Sequence, residues 1–187
     1  MIATLVVHVE NTPGVLNRVA SLFRRRAFNI ESLTVGHTEK LGVSRMTIVV
    51  DTDEAGAARL EANLYKLVNV LRVDNITNVP AVFRDLVMIK VAATQETRAE
   101  IMQLAHVFRA RVVDVAVDSL VLEATGAEDK IDGLIELLRQ YGVIEAARTG
   151  RVAMIRGAAP RTAESIPVVC DREQSDPFDE EQVSYSV

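Results

Sequence analysis

One stretch decides the fold: Glu10-Asn11-Thr12-Pro13-Gly14-Val15-Leu16. Residues 2–10 before it alternate apolar and polar side chains and predict a strand, while residues 13–26 predict a helix. The apolar stripe of that helix is expected to be Leu16, Val19, Ala20 and Phe23. The chain therefore turns sharply from a strand into a helix. Pro13 suits the first helical position, Gly14 allows close approach of another group, and the open N–H groups of a helix start attract carboxylates.

The same turn also has a purely structural interpretation. The Asn11 side chain could cap the helix by accepting a backbone hydrogen bond, and Gly14 could serve only to ease the turn. This segment alone leaves both interpretations open, a capped helix start or a turn that binds an anionic group.

The rest of residues 1–79 alternates strands and helices in the order β-α-β-β-α-β, which is typical of a ferredoxin-like unit. The pattern predicts strands at residues 29–39, 43–51 and 70–79, and a second helix capped by Asp53. The apolar stripe of this helix comprises Leu60, Leu64, Leu67 and Val68. In this topology we expect the strand before the first helix and the strand after it to be neighbours.

The pattern repeats after a predicted linker, residues 80–84. Strands are predicted at residues 86–93, 112–117, 120–124 and 143–155, and helices at residues 97–110 and 128–141. Thr97 and Glu100 have the spacing of a capping box. The fold class is therefore α+β, with tandem ferredoxin-like βαββαβ units at residues 1–79 and 85–156. Because two helices cover only one face of each sheet, we expect a partner subunit to cover the other.

Composition argues against several classes of protein. Lys and Arg number 21 against 26 Asp and Glu, a net charge of −5. Residues 157–187 contain seven acids and two arginines, so the rest of the chain is neutral and offers no electrostatic footprint for nucleic acid. With three prolines and no periodicity, residues 157–187 are expected to be a disordered tail. No segment predicts a membrane span or secretory signal, and Cys170 is the only cysteine, so we expect a cytoplasmic protein.

The sequence shows no catalytic or metal-binding constellation. Its three histidines, His8, His37 and His106, fall in different predicted elements. There is no metal-ligand spacing of Cys and His, no phosphate-binding loop and no nucleophile motif. We therefore expect a binding protein rather than an enzyme, with no metal site in this chain.

The site that remains combines the turn with the start of the second strand, brought together when two copies of the chain pair. Such a cleft fits a zwitterionic amino acid. Backbone N–H groups near Gly14 and Val15 would receive its carboxylate, and oxygens around Asn11 and Asn29 would receive its amino group. An apolar wall for a branched side chain would come from Leu16, Ile30 and Val35.

These segments resemble a known family. The run Asn11-Thr12-Pro13-Gly14-Val15-Leu16 resembles the effector-binding turn of ACT domains. A longer set of segments, within residues 1–156, resembles the regulatory (small) subunits of acetolactate synthase, also called acetohydroxyacid synthase. These segments are Arg18-Val19 with Phe23, Phe28-Asn29-Ile30-Glu31-Ser32-Leu33-Thr34-Val35, Ser44-Arg45-Met46-Thr47-Ile48, Lys66-Leu67-Val68-Asn69-Val70-Leu71-Arg72-Val73 and Phe108-Arg109-Ala110.

The resemblance implies a non-catalytic subunit that forms a homodimer or larger assembly through its ACT domains. Such subunits bind and activate a large catalytic subunit that uses thiamine diphosphate, a divalent metal and FAD to form acetolactate from two pyruvates. The resemblance also implies that valine binds between paired ACT domains and inhibits the complex, as feedback in branched-chain amino acid biosynthesis. Asn11, Gly14 and Asn29 match the effector-contact positions of the family.

Two other classes of function remain open. A free-standing ACT-type amino-acid sensor could regulate a different enzyme, because ACT modules are reused widely. An independent enzyme with a ferredoxin-like fold is disfavoured by the missing acid, base and metal-binding groups. The sequence leaves open whether the effector is valine, leucine or isoleucine. It also leaves open whether the second unit is a docking surface, a dimerisation unit or a second effector site.

Overall fold

The first unit follows the predicted order of strands and helices. The computed structural model describes residues 1–157 of the chain. The elements of this unit are β1 (Ile2–Glu10), α1 (Val15–Arg25), β2 (Ile30–His37), β3 (Val43–Asp51), α2 (Glu54–Leu64) and β4 (Val70–Asn75). The four strands form one antiparallel sheet in the order β2-β3-β1-β4, so the predicted ferredoxin-like unit is confirmed.

The second unit repeats this order with a longer first strand and an additional last strand. Its elements are β5 (Ala81–Ala92), α3 (Arg98–Val107), β6 (Arg111–Val115), β7 (Ser119–Gly126), α4 (Glu128–Arg139), β8 (Val143–Arg148) and β9 (Val152–Ile155). The strand order is β6-β7-β5-β8, and β9 pairs with β5. The second predicted ferredoxin-like unit is also confirmed. Residues 158–187, which include most of the predicted disordered tail, lie outside the described residues.

Alternation along the strands and helical spacing build one core in each unit. In the first core, Leu5 and Ile48 of the sheet pack against Phe23 of α1 and Leu60 of α2. In the second core, Ile89 and Leu122 of the sheet are fully buried, together with Ile101 of α3 and Leu134 of α4. As expected, the helices turn an apolar stripe towards the sheet, because a helix needs one apolar face to cover a sheet.

The apolar stripe of α1 is rotated by about one residue from the predicted one. The buried residues are Val15, Val19, Leu22 and Phe23, whereas Leu16 is 45% exposed. The stripe of α2 is shorter than predicted, because this helix ends at Leu64 and Val68, beyond it, is 90% exposed. The rotation of α1 leaves the Leu16 side chain available to solvent or to a ligand.

The predicted linker at residues 80–84 is wrong. Residues 81–84 form the first part of β5 and pair with β9 in antiparallel register. The single strand predicted at residues 143–155 is also wrong, because residues 149–151 separate β8 from β9. Pro80 suggested a break in the chain, but the partner of the following strand lies about seventy positions away, which no local pattern encodes.

One predicted helix cap is confirmed and one is wrong. Asp53 caps α2, and its Oδ1 accepts a hydrogen bond from the N–H of Gly56 at 2.6 Å. Thr97 precedes α3 without capping it. Instead of closing a capping box, Glu100 accepts a hydrogen bond from the hydroxyl of Tyr141 at 3.2 Å.

The chain itself covers part of the open face of the first sheet. Val6 and Ile76 on this face pack with Ala153 of β9, and Phe83 of β5 packs against the same cluster. Nη2 of Arg45 donates to the backbone oxygen of Ala153 at 2.5 Å. The expectation that a partner subunit must cover this face is therefore wrong for this part of the first sheet.

His8 lies on the covered face, where burial favours the neutral form of its imidazole. The side chain is 17% exposed and its Nδ1 lies 4.0 Å from Oδ2 of Asp74. Within residues 1–157, Nδ1 has no hydrogen-bond partner. Burial, reinforced by the charges of Arg45 and Arg72, lowers the pKa of His8 from its ordinary 6.5, while Asp74 and Glu39 oppose this shift.

We therefore expect the free energy of unfolding to fall on acidification. Below about pH 6.5 the unfolded chain binds a proton at His8 while the folded chain does not, so this contribution to stability is complete above that pH. It is lost as pH falls through the lowered pKa, by at most about 1.4 kcal/mol per pH unit. Urea denaturation of the wild type and of His8→Gln between about pH 5.5 and 7.5 measures this slope. Parallel pH profiles of the two proteins would contradict the assignment to His8.

Candidate functional site

The β1–α1 turn (residues 11–14) is built around the backbone of Gly14. Gly14 precedes the first helical residue, Val15, in a left-handed conformation with φ of 84°. The prediction that Pro13 occupies the first helical position is therefore wrong, because the positive φ of Gly14 redirects the chain before the helix begins. Any residue with a Cβ would be strained in this conformation.

Asn11 does not cap α1, so that structural interpretation of the turn is wrong. Within residues 1–157, no side chain caps this helix. Oδ1 of Asn11 instead accepts a hydrogen bond from Oγ of Ser44 at 3.1 Å. The oxygen retains a second lone pair, and the side-chain NH₂ has no acceptor within residues 1–157. Ser44 is a residue that sequence reasoning missed, since only the β1–β3 register brings it beside the turn.

The first turn of α1 leaves backbone donors open. The N–H of Val15 reaches the backbone oxygen of Thr12 at 3.4 Å. The N–H groups of Gly14, Leu16 and Asn17 have no acceptor in the part of the chain that the structure describes. No acidic side chain lies in this first turn to neutralise the positive end of the helix. These donors are therefore available to an external carboxylate.

Space for a ligand exists at the same place. A Cβ atom on Gly14 would meet no heavy atom of the described residues within 4 Å. The Leu16 side chain, 45% exposed, presents apolar surface beside this space, whereas Val15 is only 4% exposed and belongs to the core. Val15 can therefore contribute its backbone only, and Leu16 can contribute its side chain.

Asn29 and Ile30 lie at the opposite end of the sheet from the turn. Ile30 pairs with Val50 near the end of β3, whereas the N–H of Asn11 donates to Gly42 just before β3 begins. About eight residues at roughly 3.3 Å each separate these positions, a distance of roughly 25 Å. One chain therefore does not bring the two predicted halves of the site together.

The sheet order explains this separation. β3 pairs with both β1 and β2, so the expectation that β1 and β2 are neighbours is wrong. Strands joined through a helix run parallel, and the ferredoxin-like topology places another strand between them. As a result, among the described strands, β2 is an edge strand with unpaired backbone groups along one side.

The free edge of β2 offers a way to complete the site. Asn29 is exposed and its Nδ2 donates to Oε1 of Glu31 at 2.6 Å, while Ile30 is half-buried and Val35 is 43% exposed. Antiparallel pairing of β2 from two copies would carry Asn29 and Ile30 of one copy to the sheet end that holds the β1–α1 turn of the other. The six predicted contact residues can meet only across two chains.

The described residues offer little for other kinds of site. Across residues 1–157, no three side chains of His, Cys, Asp or Glu lie close enough together to hold a metal ion. None of the helices in this part of the chain has the length and apolar character needed to cross a bilayer.

Comparisons with known proteins give consistent similarities along the chain. A family model described as the small subunit of acetolactate synthase matches residues 84–157. A model described as the AHAS small subunit-like ACT domain matches residues 5–72. The chain is 54% identical over 154 residues to a probable acetolactate synthase small subunit of Archaeoglobus fulgidus, covering 82% of this chain and 96% of that protein.

Two further similarities extend over comparable lengths. The acetolactate synthase small subunit of Bacillus subtilis is 48% identical over 160 residues, covering 85% of this chain and 93% of the relative. The crystal structure of the acetolactate synthase small subunit from Thermotoga maritima has a TM-score of 0.81 and 42% identity. It covers 85% of this chain and 99% of the other.

Proposed function

Because the chain belongs to the family of acetolactate synthase small subunits, we propose that it activates a catalytic large subunit and makes that subunit sensitive to valine. The chain acts without a cofactor of its own. Thiamine diphosphate, a divalent metal and FAD belong to the catalytic partner, which forms the acetohydroxy acid precursors of valine, leucine and isoleucine.

The observation that carries the valine proposal is the open start of α1. Within residues 1–157, the N–H groups of Gly14, Leu16 and Asn17 are unpaired, the space beside Gly14 is open, and the first turn of α1 has no acidic side chain. Oriented N–H groups at a helix start receive a carboxylate in its ionised form. The remaining lone pair on Oδ1 of Asn11 receives the ammonium group of the amino acid.

The second half of the valine site comes from the paired copy. Its Asn29 lies at the start of an exposed edge strand, and its Ile30 adds apolar surface to that of Leu16 across the interface. One methylene more or less against such a wall changes binding by about 1–3 kcal/mol. Leucine and isoleucine therefore compete with valine, with weaker binding.

Placement between two chains connects valine binding to regulation. A ligand shifts an equilibrium only by its differential affinity for two states, and a ligand that touches both chains discriminates between arrangements of the pair. A coupling free energy of about 1–3 kcal/mol changes the affinity between sites about 5- to 150-fold. Valine thus favours an arrangement of the two copies that weakens their activating contact with the catalytic subunit.

The test is acetolactate formation by the catalytic subunit of the same organism, measured with and without this chain at rising valine concentrations. We expect activation several-fold by the chain, and inhibition by valine only when the chain is present. If the chain had no effect on the rate, the catalytic subunit would not be its partner, and a free-standing amino-acid sensor would be favoured. If the chain activated the catalytic subunit but valine had no effect, the catalytic subunit would remain the partner and valine would not be the effector.

A further inference from the structure

The β8–β9 loop (residues 149–151) attaches the second unit directly to β2. The backbone N–H of Arg151 donates to Oγ of Ser32 at 2.9 Å. Gly150 lies flat against the strand, since a Cβ atom there would stand 2.7 Å from Oγ of Ser32 and 2.9 Å from the backbone carbon of Leu33. Because this contact has no spare space, a shift of β2 at Ser32 must displace the loop.

The side chain of Arg151 connects this loop to both units. Its guanidinium lies 5.2 Å from the centre of the Phe83 ring in β5. Nη1 donates to Oγ1 of Thr4 in β1 at 3.4 Å, and Nη2 forms an ion pair with Glu128 at the start of α4. Only 16% of this side chain is exposed, so movement of the loop changes contacts of all three elements.

Glu128 also interacts with a second arginine. Nη2 of Arg148 lies 4.0 Å from Glu128 and 2.5 Å from the buried carboxylate of Asp85, while Nη1 bonds Asp132 of α4 at 2.9 Å. The carboxylate of Glu128 is thus shared between Arg148 and Arg151. If Arg151 moves, the ion pairs of Glu128 with Arg148 and Arg151 change at the first turn of α4.

The segment of β2 beside the proposed valine site is irregular. The register with β3 shifts between Ile30 and Ser32, which makes Glu31 a bulged residue. Glu31 also accepts the hydrogen bond from the side chain of Asn29, a proposed contact residue for valine. Because a bulge locally disrupts the ladder, the strand deforms more readily here than along the regular pairs that follow.

We propose that the β8–β9 loop is the contact through which valine binding changes the second unit. This inference rests on the proposed function, since it takes Asn29 and Ile30 as half of the valine site. A ligand ammonium that donates to Oδ1 of Asn29 reorients the side-chain amide whose NH₂ group donates to Glu31, and this shifts the bulge. Ser32 then moves against Gly150 and Arg151, and the ion pairs at the start of α4 rearrange.

The inference is tested with Ser32→Ala and Gly150→Ala in the full-length chain combined with the catalytic subunit. Both variants leave the β1–α1 turn, Asn29 and Ile30 in place. We expect valine to bind each variant within about twofold of wild type by calorimetry, with activation retained. The valine concentration for half-inhibition should rise about threefold to tenfold, more in Gly150→Ala because the added methyl group separates loop and strand.

Thr149→Ala is the matched control in the same loop. It removes a hydroxyl that accepts a hydrogen bond from the N–H of Leu86 at 3.0 Å, a contact made entirely within the second unit. Inhibition by valine should remain as in wild type. Hydrogen exchange at the start of α4 gives a second readout: valine should change it in wild type and Thr149→Ala, and change it less in Ser32→Ala.

The outcomes separate this inference from the proposed function. Unchanged inhibition and exchange in Ser32→Ala, with a normal response in wild type, would overturn the coupling and leave the proposed function standing. A loss of inhibition that follows a loss of valine binding would also overturn it, as an effect on the site itself. A wild-type chain that binds no valine would overturn both. Ser32→Ala removes one atom, so the test stands if Gly150→Ala does not fold.

Discussion

Gly14→Asp is expected to abolish inhibition by valine while the chain still activates the catalytic subunit. The introduced carboxylate would lie where the carboxylate of valine is received, beside the open N–H groups of Leu16 and Asn17. It would occupy these donors and repel the ligand. Loss of two charge-assisted hydrogen bonds, at about 1.5–3 kcal/mol each, weakens binding by at least about a hundredfold.

The substitution also strains the backbone, and this effect needs a control. The φ of Gly14 is +84°, a conformation that costs a residue with a Cβ about 1–2 kcal/mol. Gly157→Asp provides comparable strain elsewhere, because Gly157 has a φ of +71° and an added Cβ would have no heavy atom of residues 1–157 within 4 Å. We expect Gly157→Asp to keep the wild-type response to valine.

Calorimetric titration of valine and the inhibition curve of the reconstituted enzyme measure the result for both variants. The position of Gly14 at the helix start predicts loss of both binding and inhibition in Gly14→Asp. If this variant were inhibited at the same valine concentrations as wild type, the β1–α1 turn would not be the binding site.

Asn11→Ala and Asn29→Ala are expected to abolish valine binding separately and to restore it when the two variants are combined. In a single chain these residues lie at opposite ends of the sheet, roughly 25 Å apart. A site that uses the turn of one chain and the β2 start of its partner has a specific consequence. In a mixed dimer, one site contains both substitutions and the other contains neither.

Co-expression of the two variants with different affinity tags allows the mixed dimer to be isolated. Random pairing makes about half of the dimers mixed, so about a quarter of all sites in the unfractionated mixture are intact. We expect this fraction of sites to bind valine with wild-type affinity. The purified mixed dimer should bind one valine rather than two.

Asn11→Ala combined with Gly14→Asp is the matched control. Both substitutions affect the β1–α1 turn, so every site in their mixed dimer carries one defect and no binding should return. If the Asn11→Ala and Asn29→Ala pair also failed to recover binding, the two-chain site would be wrong. Recovery in the control mixture would indicate exchange with residual wild-type chain.

Periodicity alone predicted most elements, because each pattern reports which side of a segment meets a core. β1 (Ile2–Glu10) and β3 (Val43–Asp51) have the predicted bounds. The helix predicted at residues 128–141 forms α4 (Glu128–Arg139), in which Ile131, Leu134 and Leu138 are buried. The resemblance of residues 11–16 to ACT domains, and of the longer set of segments within residues 1–156 to acetolactate synthase small subunits, likewise identified the family before any geometry was known. For the strands and helices, the determining interactions lie within a few residues along the chain.

Three of the failed predictions concern contacts between distant segments. The predicted linker at residues 80–84 is largely strand, because β9 pairs with it. In one interpretation Asn11 was predicted to cap α1, but its Oδ1 accepts a hydrogen bond from Ser44, which β3 places beside it. Likewise β3 separates β1 from β2. Pairing between remote strands depends on register and on the free energy of the whole sheet, which a local pattern of side chains does not contain.

The sequence by itself determined the two ferredoxin-like units, the family and the residue types of the β1–α1 turn. Side-chain periodicity, and a turn position that few residues other than glycine can occupy, are local properties of the chain. Only the tertiary structure decided that Asn11 and Asn29 stand at opposite ends of one sheet, and that β2 has a free edge on one side and the β8–β9 loop against its face. The physical reason is that strand order and register arise from long-range backbone pairing, which brings together residues that no spacing along the chain relates.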